Sequence, residues 1–301
     1  MGADPPIFPP QVVCEVKALA CHLPAELGLL FSRLSLRDLR QEVIKRGIVA
    51  QISGTTIWRW LSQDAIRPWA HRSWIFPRDP RFAEKAGRAL DLYARVWQAA
   101  PLGEGDYVLS ADEMTGIQLR QRRHPTQAPR PGRMMRVEHE YRRMGTLAYL
   151  AAWDVHRAAL FGRIEPRSTI PAFDRLVEQI MSEEPYRSAE RVFLVVDNGT
   201  VHRGQRSIDR LHDRWPQLIL VHLPIHASWL NQIEIYFSIL KRKVLTPNDF
   251  ASAEAAADRI LAFQGHYQAI AQPFEWKLTR DDLARVMASL SDVQVTLPYA
   301  A

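Results

Sequence analysis

Two apolar segments that each end in an aspartate constrain the fold of this chain more than any other feature. Residues 107–112 read YVLSAD, and residues 192–197 read VFLVVD. Continuous apolar runs of this length are typical of strands that are buried on both faces of a parallel sheet. Because neighbouring parallel strands end at the same edge of a sheet, we expect Asp112 and Asp197 to meet there.

From about residue 101 onward, short apolar runs alternate with amphipathic helices, which is the pattern of an α/β domain. The predicted strands cover 107–111, 116–120, 147–153, 158–164, 191–196 and 218–223. The predicted helices cover 171–181, 207–215 and 230–244. The polar segment 154–157 lies between two apolar runs and is expected to close a hairpin.

A third carboxylate, Glu234, lies on the predicted helix 230–244 beside its apolar stripe. Three convergent carboxylates repel one another unless cations neutralise them, and hard oxygen ligands suit Mg²⁺ or Mn²⁺ better than Zn²⁺. Two such ions could activate water in phosphodiester chemistry. Taken singly, each acid is explained more simply as a turn residue or a solvated helix residue, and Glu113 is a weaker alternative to Asp112.

The N-terminal part is predicted to be helical, with a short helix over 12–23 followed by two further helices. Apolar residues at 36, 39, 43 and 44 have helical spacing, the pattern stops at Gly47, and it resumes after Ser53, a favourable N-cap. Two short helices about a glycine indicate a helix-turn-helix, although an ordinary helical hairpin has the same periodicity. The residues expected to contact a DNA groove are Thr55, Thr56, Trp58 and Arg59.

Basic residues cluster between positions 120 and 143, in a chain whose net charge is +6. A long basic loop beside a carboxylate cluster suits the DNA backbone, whereas a merely solvated loop is the alternative. The predicted DNA contacts are Arg122, Arg123, Arg130, Arg133, Arg136, Arg142, Arg143, Lys241, Arg242 and Lys243. Trp229 is interpreted as a core anchor rather than as a platform for base stacking.

Composition excludes several other classes of protein. The two cysteines, Cys14 and Cys21, form no CxxC pair, so neither a disulfide framework nor a zinc site is indicated. No apolar stretch approaches 18 residues, and prolines occupy the place of a signal peptide, so we expect no membrane partner. A cytoplasmic protein is the natural expectation.

Four blocks of this sequence resemble the IS-six-thirty insertion-sequence transposases, within the Tc-one/mariner group of DDE recombinases. The blocks are LSADEMTGIQ at 109–118, HEYRRMGTL at 139–147, VVDNGTVH at 195–202 and HASWLNQIEIYFSILKRKVL at 226–245. In the N-terminal half, ISGTTIWRWLSQDAIRPW at 52–69 resembles the family's second helix-turn-helix, and RDPRFAEKAGRALDLY at 78–93 resembles its connector. The resemblance covers roughly residues 30–290.

The resemblance implies a function and a set of site residues. Asp112, Asp197 and Glu234 would be the catalytic ligands of two Mg²⁺ or Mn²⁺ ions, and Asn198 and His202 would support the site. The protein would bind terminal inverted repeats in double-stranded DNA, free 3′-OH ends and join them to target DNA at TA, a deformable step. A homodimer in the synaptic complex and a place at the nucleoid of the bacterial cytosol are also implied.

The resemblance also implies a fold and a domain order. An RNase H-like α/β catalytic domain would follow a small all-α helix-turn-helix domain. The expected regions are a connector at 1–30, a winged-helix-like DNA-binding domain at 31–80, a linker helix at 81–100, the catalytic domain at 101–290 and a tail at 291–301. Family members carry an earlier helix-turn-helix, so 1–30 is interpreted as the remnant of a truncated region. A non-cutting DNA-binding remnant and an RNase H-like nuclease with another nucleic-acid substrate stay open as alternatives.

Overall fold

A computed structural model describes residues 8–71, 77–199 and 205–291 of the chain. The chain divides into two compact units, Met1–Ile75 and Phe76–Ala301. None of the helices in the described ranges has the length and apolar character needed to cross a bilayer.

Within residues 8–71, the first unit contains three α-helices, α1 (Pro10–Ala20), α2 (Leu36–Lys45) and α3 (Gly54–Gln63), and a short 3-10 helix, Pro24–Leu27. Serine side chains cap α2 and α3, because Ser35 accepts from the Asp38 amide and Ser53 from the Thr56 amide. Apolar residues of all three α-helices share one core. This packing differs from the interpretation of 1–30 as a connector, since Val16 and Leu19 of α1 are buried in that core.

The second unit starts with α4 (Phe82–Tyr93) and a two-stranded ribbon, β1 (Val96–Trp97) and β2 (Ala100–Pro101). Its main sheet contains β3 (Asp106–Arg122), β4 (Tyr141–Asp154), β5 (Leu160–Glu165), β6 (Arg191–Val196) and β7 (Leu218–His222). Its remaining helices are α5 (Ile170–Met181), α6 (Gln205–Arg214), α7 (Ile233–Lys243), α8 (Ala253–Gln268) and α9 (Arg280–Ser291).

The five-stranded sheet has the order β5-β4-β3-β6-β7 and is mixed. Strands β5, β4 and β3 form an antiparallel meander, whereas β6 and β7 run parallel to β3. Helices cover both faces, and the apolar residues of each strand alternate between them with the period of two that a strand imposes. Val108 and Phe193 face the core shared with α4, α7 and α8, and Leu109 and Leu194 face the core shared with α5.

Strand β3 corrects the prediction of two separate strands at 107–111 and 116–120. It runs without a break from Asp106 to Arg122, and its pairing with β4 shifts between Met114 and Ile117. Gly116 lies in this irregularity with φ +63°, a value that glycine adopts without strain. The extra residue is therefore absorbed as a β-bulge, and the strand continues.

Helix α4 also differs from its interpretation as a linker. Its buried face, which includes Phe82, Ala86 and Leu90, belongs to the same core as Phe193 and Phe237. An amphipathic helix of three turns is stabilised mainly by burying its apolar stripe, and α4 buries that stripe within the second unit.

Several other predictions are confirmed with small changes in length. Strand β6 has the predicted bounds, and Asp154 ends β4 at the predicted hairpin. Helix α7 begins three residues later than predicted, because Asn231 has an extended backbone and a short 3-10 helix, Ser228–Leu230, precedes it.

An ion pair aligns the first residues of β3 and β6. Asp106 and Arg191 are direct partners in the parallel register. Arg191 Nε donates to Asp106 Oδ1 at 2.7 Å and Nη2 donates to Oδ2 at 2.5 Å, while the Gly103 amide donates to Oδ2 at 2.8 Å. The Arg191 guanidinium is the main reason why the pKa of Asp106 lies below its ordinary value of 3.8.

We expect Gly116→Ala to destabilise the protein by about 1–2 kcal/mol, because a Cβ disfavours the positive φ of the bulge. No atom lies within 4 Å of the added Cβ, so the cost comes from the backbone and not from a clash. Gly265→Ala is the matched control, since Gly265 lies inside α8 with equally open space. That variant should be more stable by about 0.5–1 kcal/mol. If urea unfolding showed that both substitutions change the free energy of unfolding in the same direction, the β-bulge at Gly116 would be contradicted.

We expect Asp106→Asn to lower the free energy of unfolding by about 1.5–3 kcal/mol at pH 7, the range for a buried hydrogen bond to a charged group. Because folding lowers the pKa of Asp106, the charged form stabilises the protein above pH 3.8 and this contribution is lost as the pH falls further. The difference from wild type should therefore shrink below pH 3.8. Glu84→Gln, in the exposed Glu84–Arg88 pair, is the control and should have little effect. A pH-independent difference for Asp106→Asn would contradict this role.

Candidate active site

The parallel register between β3 and β6 places Asp112 and Asp197 beside each other. The last register pair is Ser110 with Val195, and each aspartate lies two residues further along its chain. Strand alternation puts both on the face occupied by Val195, which is the face covered by α7. The expectation that both lie at the end of a strand needs correction, because Asp112 lies within β3 and pairs with Ala151.

Glu234 enters the same region from the first turn of α7. The pKa of Asp112 is raised to about 7, first by burial and then by the negative charges of Asp197, Glu113 and Glu234, against a lowering by the hydrogen bond from the Glu113 amide. The pKa of Glu234 is raised as well, first by burial and then by the charge of Asp197. The structure therefore brings the three predicted carboxylates close enough to repel one another.

Asn231 holds Asp112 and was not singled out from the sequence. Its side chain is buried, and Nδ2 donates to the Ala111 carbonyl at 2.9 Å and to Asp112 Oδ2 at 3.3 Å. Its Oδ1 has no hydrogen-bond partner. The sequence signals were the polar pair Asn231 and Gln232, directly before an apolar helical stripe, and the place of this pair in the block at 226–245.

The segment after β6 is shaped by the residues of the DN pair. The Gly199 amide donates to Asp197 Oδ1 at 2.6 Å, which closes a tight turn around the carboxylate. Asn198 Nδ2 donates to the Leu223 carbonyl, and so ties this turn to the end of β7. Asn198 therefore acts on the backbone that carries Asp197. His202 lies outside the described residues.

A hydrogen bond from helix α4 stabilises the turn that leads into α7. Tyr93 Oη donates to the Leu230 carbonyl at 2.8 Å, and burial raises the pKa of Tyr93 so that it remains a neutral donor. Since Leu230 is fully buried and Asn231 follows it, this bond fixes the backbone from which Asn231 reaches Asp112.

A cleft of about 580 Å³ opens beside Glu234. It lies between the bulged part of β3 and the exposed edge of α7, and its polar lining includes Glu113, Ser238 and Lys241. Glu234 and Lys241 lie two turns apart on the same side of α7, and they present opposite charges to this cleft. A substrate that carries both metal-bound and free phosphate oxygens would match that arrangement.

The donor chemistry of the site fits a hard divalent cation. The charged forms of Asp112 and Glu234 are disfavoured by burial and by the charge of Asp197, so a cation would stabilise them, and oxygen ligands are those that Mg²⁺ and Mn²⁺ prefer. Across residues 8–71, 77–199 and 205–291, however, no three His, Cys, Asp or Glu side chains are already arranged as a metal-binding cluster.

The predicted DNA contacts on α3 and α7 are mostly exposed. On α3, Thr55, Trp58 and Arg59 lie opposite the buried face, whereas Thr56 is half-buried and its hydroxyl lies 2.8 Å from that of Ser53. The three basic residues at the end of α7 are exposed: Lys241, Arg242 and Lys243.

The predicted basic loop is confirmed over residues 123–140, between the end of β3 at Arg122 and the start of β4 at Tyr141, and two isolated bridges, Gln127–Arg136 and Arg130–Arg133, pair its backbone. Arg122 lies where this loop leaves β3, and other residues of the protein contact its side chain. Its guanidinium donates to the Glu138 and His139 carbonyls and lies 5.1 Å from the centre of the Tyr141 ring. The remaining predicted contacts are exposed: Arg123, Arg130, Arg133, Arg136, Arg142 and Arg143.

Trp229 is not a core anchor. Its side chain is 48% exposed, while its neighbour Leu230 is fully buried and anchors the turn instead. The sequence could not distinguish the two, because both are large apolar residues directly before a helix.

Comparison with known proteins classifies the second unit. Residues 107–256 match the family model described as DDE superfamily endonuclease. These residues therefore resemble a DDE superfamily endonuclease domain. The matched range contains β3 to β7, α7 and all three carboxylates. No curated protein matches the sequence.

Solved structures have a similar fold. The Mos1 mariner paired end complex with Mn has a TM-score of 0.54 at 13% identity, covering 97% of this chain and 78% of that chain. The Mos1 strand transfer complex has a TM-score of 0.52 at 11% identity, covering 97% and 77%. The mariner Mos1 paired end complex with Mg has a TM-score of 0.53 at 11% identity, covering 88% and 75%. The mixed five-stranded sheet thus resembles the RNase H-like catalytic domain of DDE transposases.

We expect Asn231→Ala to lower the free energy of unfolding by about 1–3 kcal/mol, because it removes the donor to a buried carbonyl and to Asp112. Gln232→Met is the matched control, since Gln232 is equally buried and its Oε1 has no partner. Urea denaturation should show a much smaller loss in the free energy of unfolding for Gln232→Met than for Asn231→Ala. Equal losses in the two variants would show that the Asn231 hydrogen bonds carry no special weight.

Proposed function

We propose that this chain is a DNA transposase in which Asp112, Asp197 and Glu234 carry metal-dependent cleavage and strand transfer. The observation that carries the proposal is the convergence of three carboxylates on the sheet face under α7, where burial and the charge of Asp197 raise the pKa values of Asp112 and Glu234. The matched endonuclease family and the fold shared with Mos1 complexes support it.

The three carboxylates would hold two Mg²⁺ or Mn²⁺ ions, as the Mn and Mg in the Mos1 structures suggest. Such ions supply activation of the attacking oxygen and stabilisation of the leaving oxygen. The chain contributes positioning: Asn231 orients Asp112, the turn at Asp197 fixes the second carboxylate, and α7 presents Glu234. We include Asn198 and His202 as supporting residues.

DNA binding would use the exposed basic and helical surfaces of the chain. The resemblance to the IS-six-thirty family supports terminal inverted repeats as the bound sequence, TA as the target, a homodimer in the synaptic complex, and action at the bacterial nucleoid. The proposed contacts are Thr55, Thr56, Trp58 and Arg59 on α3, the arginines of the predicted basic loop, and the basic end of α7. Arg122 is the weakest of these, because the protein itself engages its guanidinium.

The test is cleavage of a labelled duplex that carries an end of the element encoding this chain, with Mg²⁺ or Mn²⁺ and with EDTA. We expect wild type to cut only with metal, and Asp112→Asn, Asp197→Asn and Glu234→Gln each to cut at least about 100-fold more slowly. All three should still bind the duplex, because they contribute no cationic contact. Sequencing of the joined products would locate the target step.

Glu183→Gln is the matched control, an exposed acid away from the site that should cut normally. Binding without cutting by wild type would favour a non-cutting DNA-binding remnant. Normal cutting by any one of the three variants would remove that carboxylate from the assignment. Cutting of another nucleic acid without strand transfer would favour a nuclease of the same fold.

A further inference from the structure

Trp229 presents a large apolar ring to solvent beside the carboxylates. The side chain is 48% exposed, although Ala227 and Leu230 on either side are 1% and 0% exposed. The ring belongs to neither hydrophobic core of the second unit. Ser228 and Trp229 are thus exposed between two buried residues, and about half of the indole side chain is open to solvent.

The backbone beneath this ring is held at several points. The Leu230 amide donates to the Ala227 carbonyl at 2.9 Å, and the Asn231 amide donates to the Ser228 carbonyl at 2.7 Å. Tyr93 Oη holds the Leu230 carbonyl from α4. A ring with only two side-chain torsions on a fixed backbone binds a partner with little loss of conformational entropy.

The backbone that carries the ring lies close to Asp112. Asn231, two residues after Trp229, donates to Asp112 Oδ2 at 3.3 Å. Consecutive Cα atoms are about 3.8 Å apart, so the Cα atoms of Trp229 and Asn231 are separated by at most about 7.6 Å. A phosphodiester held at Asp112 therefore has its flanking nucleosides within reach of the indole.

The chemistry of an indole selects one part of a nucleic acid. A neutral aromatic face offers nothing to a phosphate, whereas every nucleobase has a flat π-face that stacks on tryptophan. We propose that Trp229 stacks on the nucleobase next to the scissile phosphate and thereby fixes that phosphate at the carboxylates. This inference rests on the proposed function and adds a substrate-binding residue to the site.

The test combines protein variants with single abasic residues placed at each position around the cleavage site of the same duplex. On the intact duplex, Trp229→Ala should cut about 10-fold more slowly than wild type, the effect expected when a base loses its stacking partner. Trp229→Phe, which keeps an aromatic face, should stay close to wild type. At one abasic position wild type should fall to the rate of Trp229→Ala, so that the two become equal.

Ile270→Ala is the control for the loss of an exposed apolar side chain, since Ile270 is 65% exposed at the end of α8 and should cut like wild type. Thermal unfolding of every variant separates loss of the fold from loss of stacking. A ratio of wild type to Trp229→Ala that is the same on every abasic duplex would overturn the proposal. So would light scattering that shows Trp229→Ala dissociating a dimer, because the ring would then contact a second copy.

Failure of the proposed function gives a different result. If wild type binds the duplex without cutting it, the abasic series is measured by equilibrium binding and by quenching of tryptophan fluorescence. Quenching that is lost in Trp229→Phe or Trp229→Ala at one base position would uphold the stacking contact, and unchanged quenching would reject it. If wild type binds no DNA, both proposals are overturned.

Discussion

The parallel register of β3 and β6 is the constraint on which the rest of the site depends. A slip of one residue would move every side chain of one strand to the opposite face of the sheet. Asp106 and Arg191 oppose this slip at the first register pair, and apolar residues on both faces of both strands oppose it along their length. In the observed register, the two aspartates share one face and one level of the sheet. Any other alignment would separate them.

Helix α7 completes the site and suits its own electrostatic environment. Glu234 occupies the first turn, near the positive end of the helix dipole, and three basic residues occupy the last turn, near the negative end. The helix dipole thus stabilises the charged form of Glu234, whereas the charge of Asp197 destabilises it. The buried side chains of Ile233, Phe237 and Leu240 hold the helix on the sheet, so the acid is not free to move away.

Sequence patterns predicted the parts of this fold that depend on local periodicity. Strand β6 and the β4–β5 hairpin follow from apolar runs bounded by polar residues, and the three carboxylates follow from their places beside such runs. The continuity of β3 could not be predicted, because a glycine inside a strand pattern signals a break as readily as a bulge. The packing of α4, the contact of Asn231 with Asp112 and the exposure of Trp229 depend on residues far apart in the chain. Periodicity carries no information about which distant surface covers a given face.

The wide spacing of the three carboxylates along the chain has a consequence for synthesis in the cell. Asp112, Asp197 and Glu234 come from three segments, and the last of them is placed only when α7 packs on a finished sheet. Domains fold as units while the ribosome extends the chain. A nascent polypeptide that ends before residue 234 therefore contains an incomplete set of acidic groups, however well its earlier strands have paired. Under the proposed function, translation products cut short before that point would lack the third carboxylate that DNA cleavage requires.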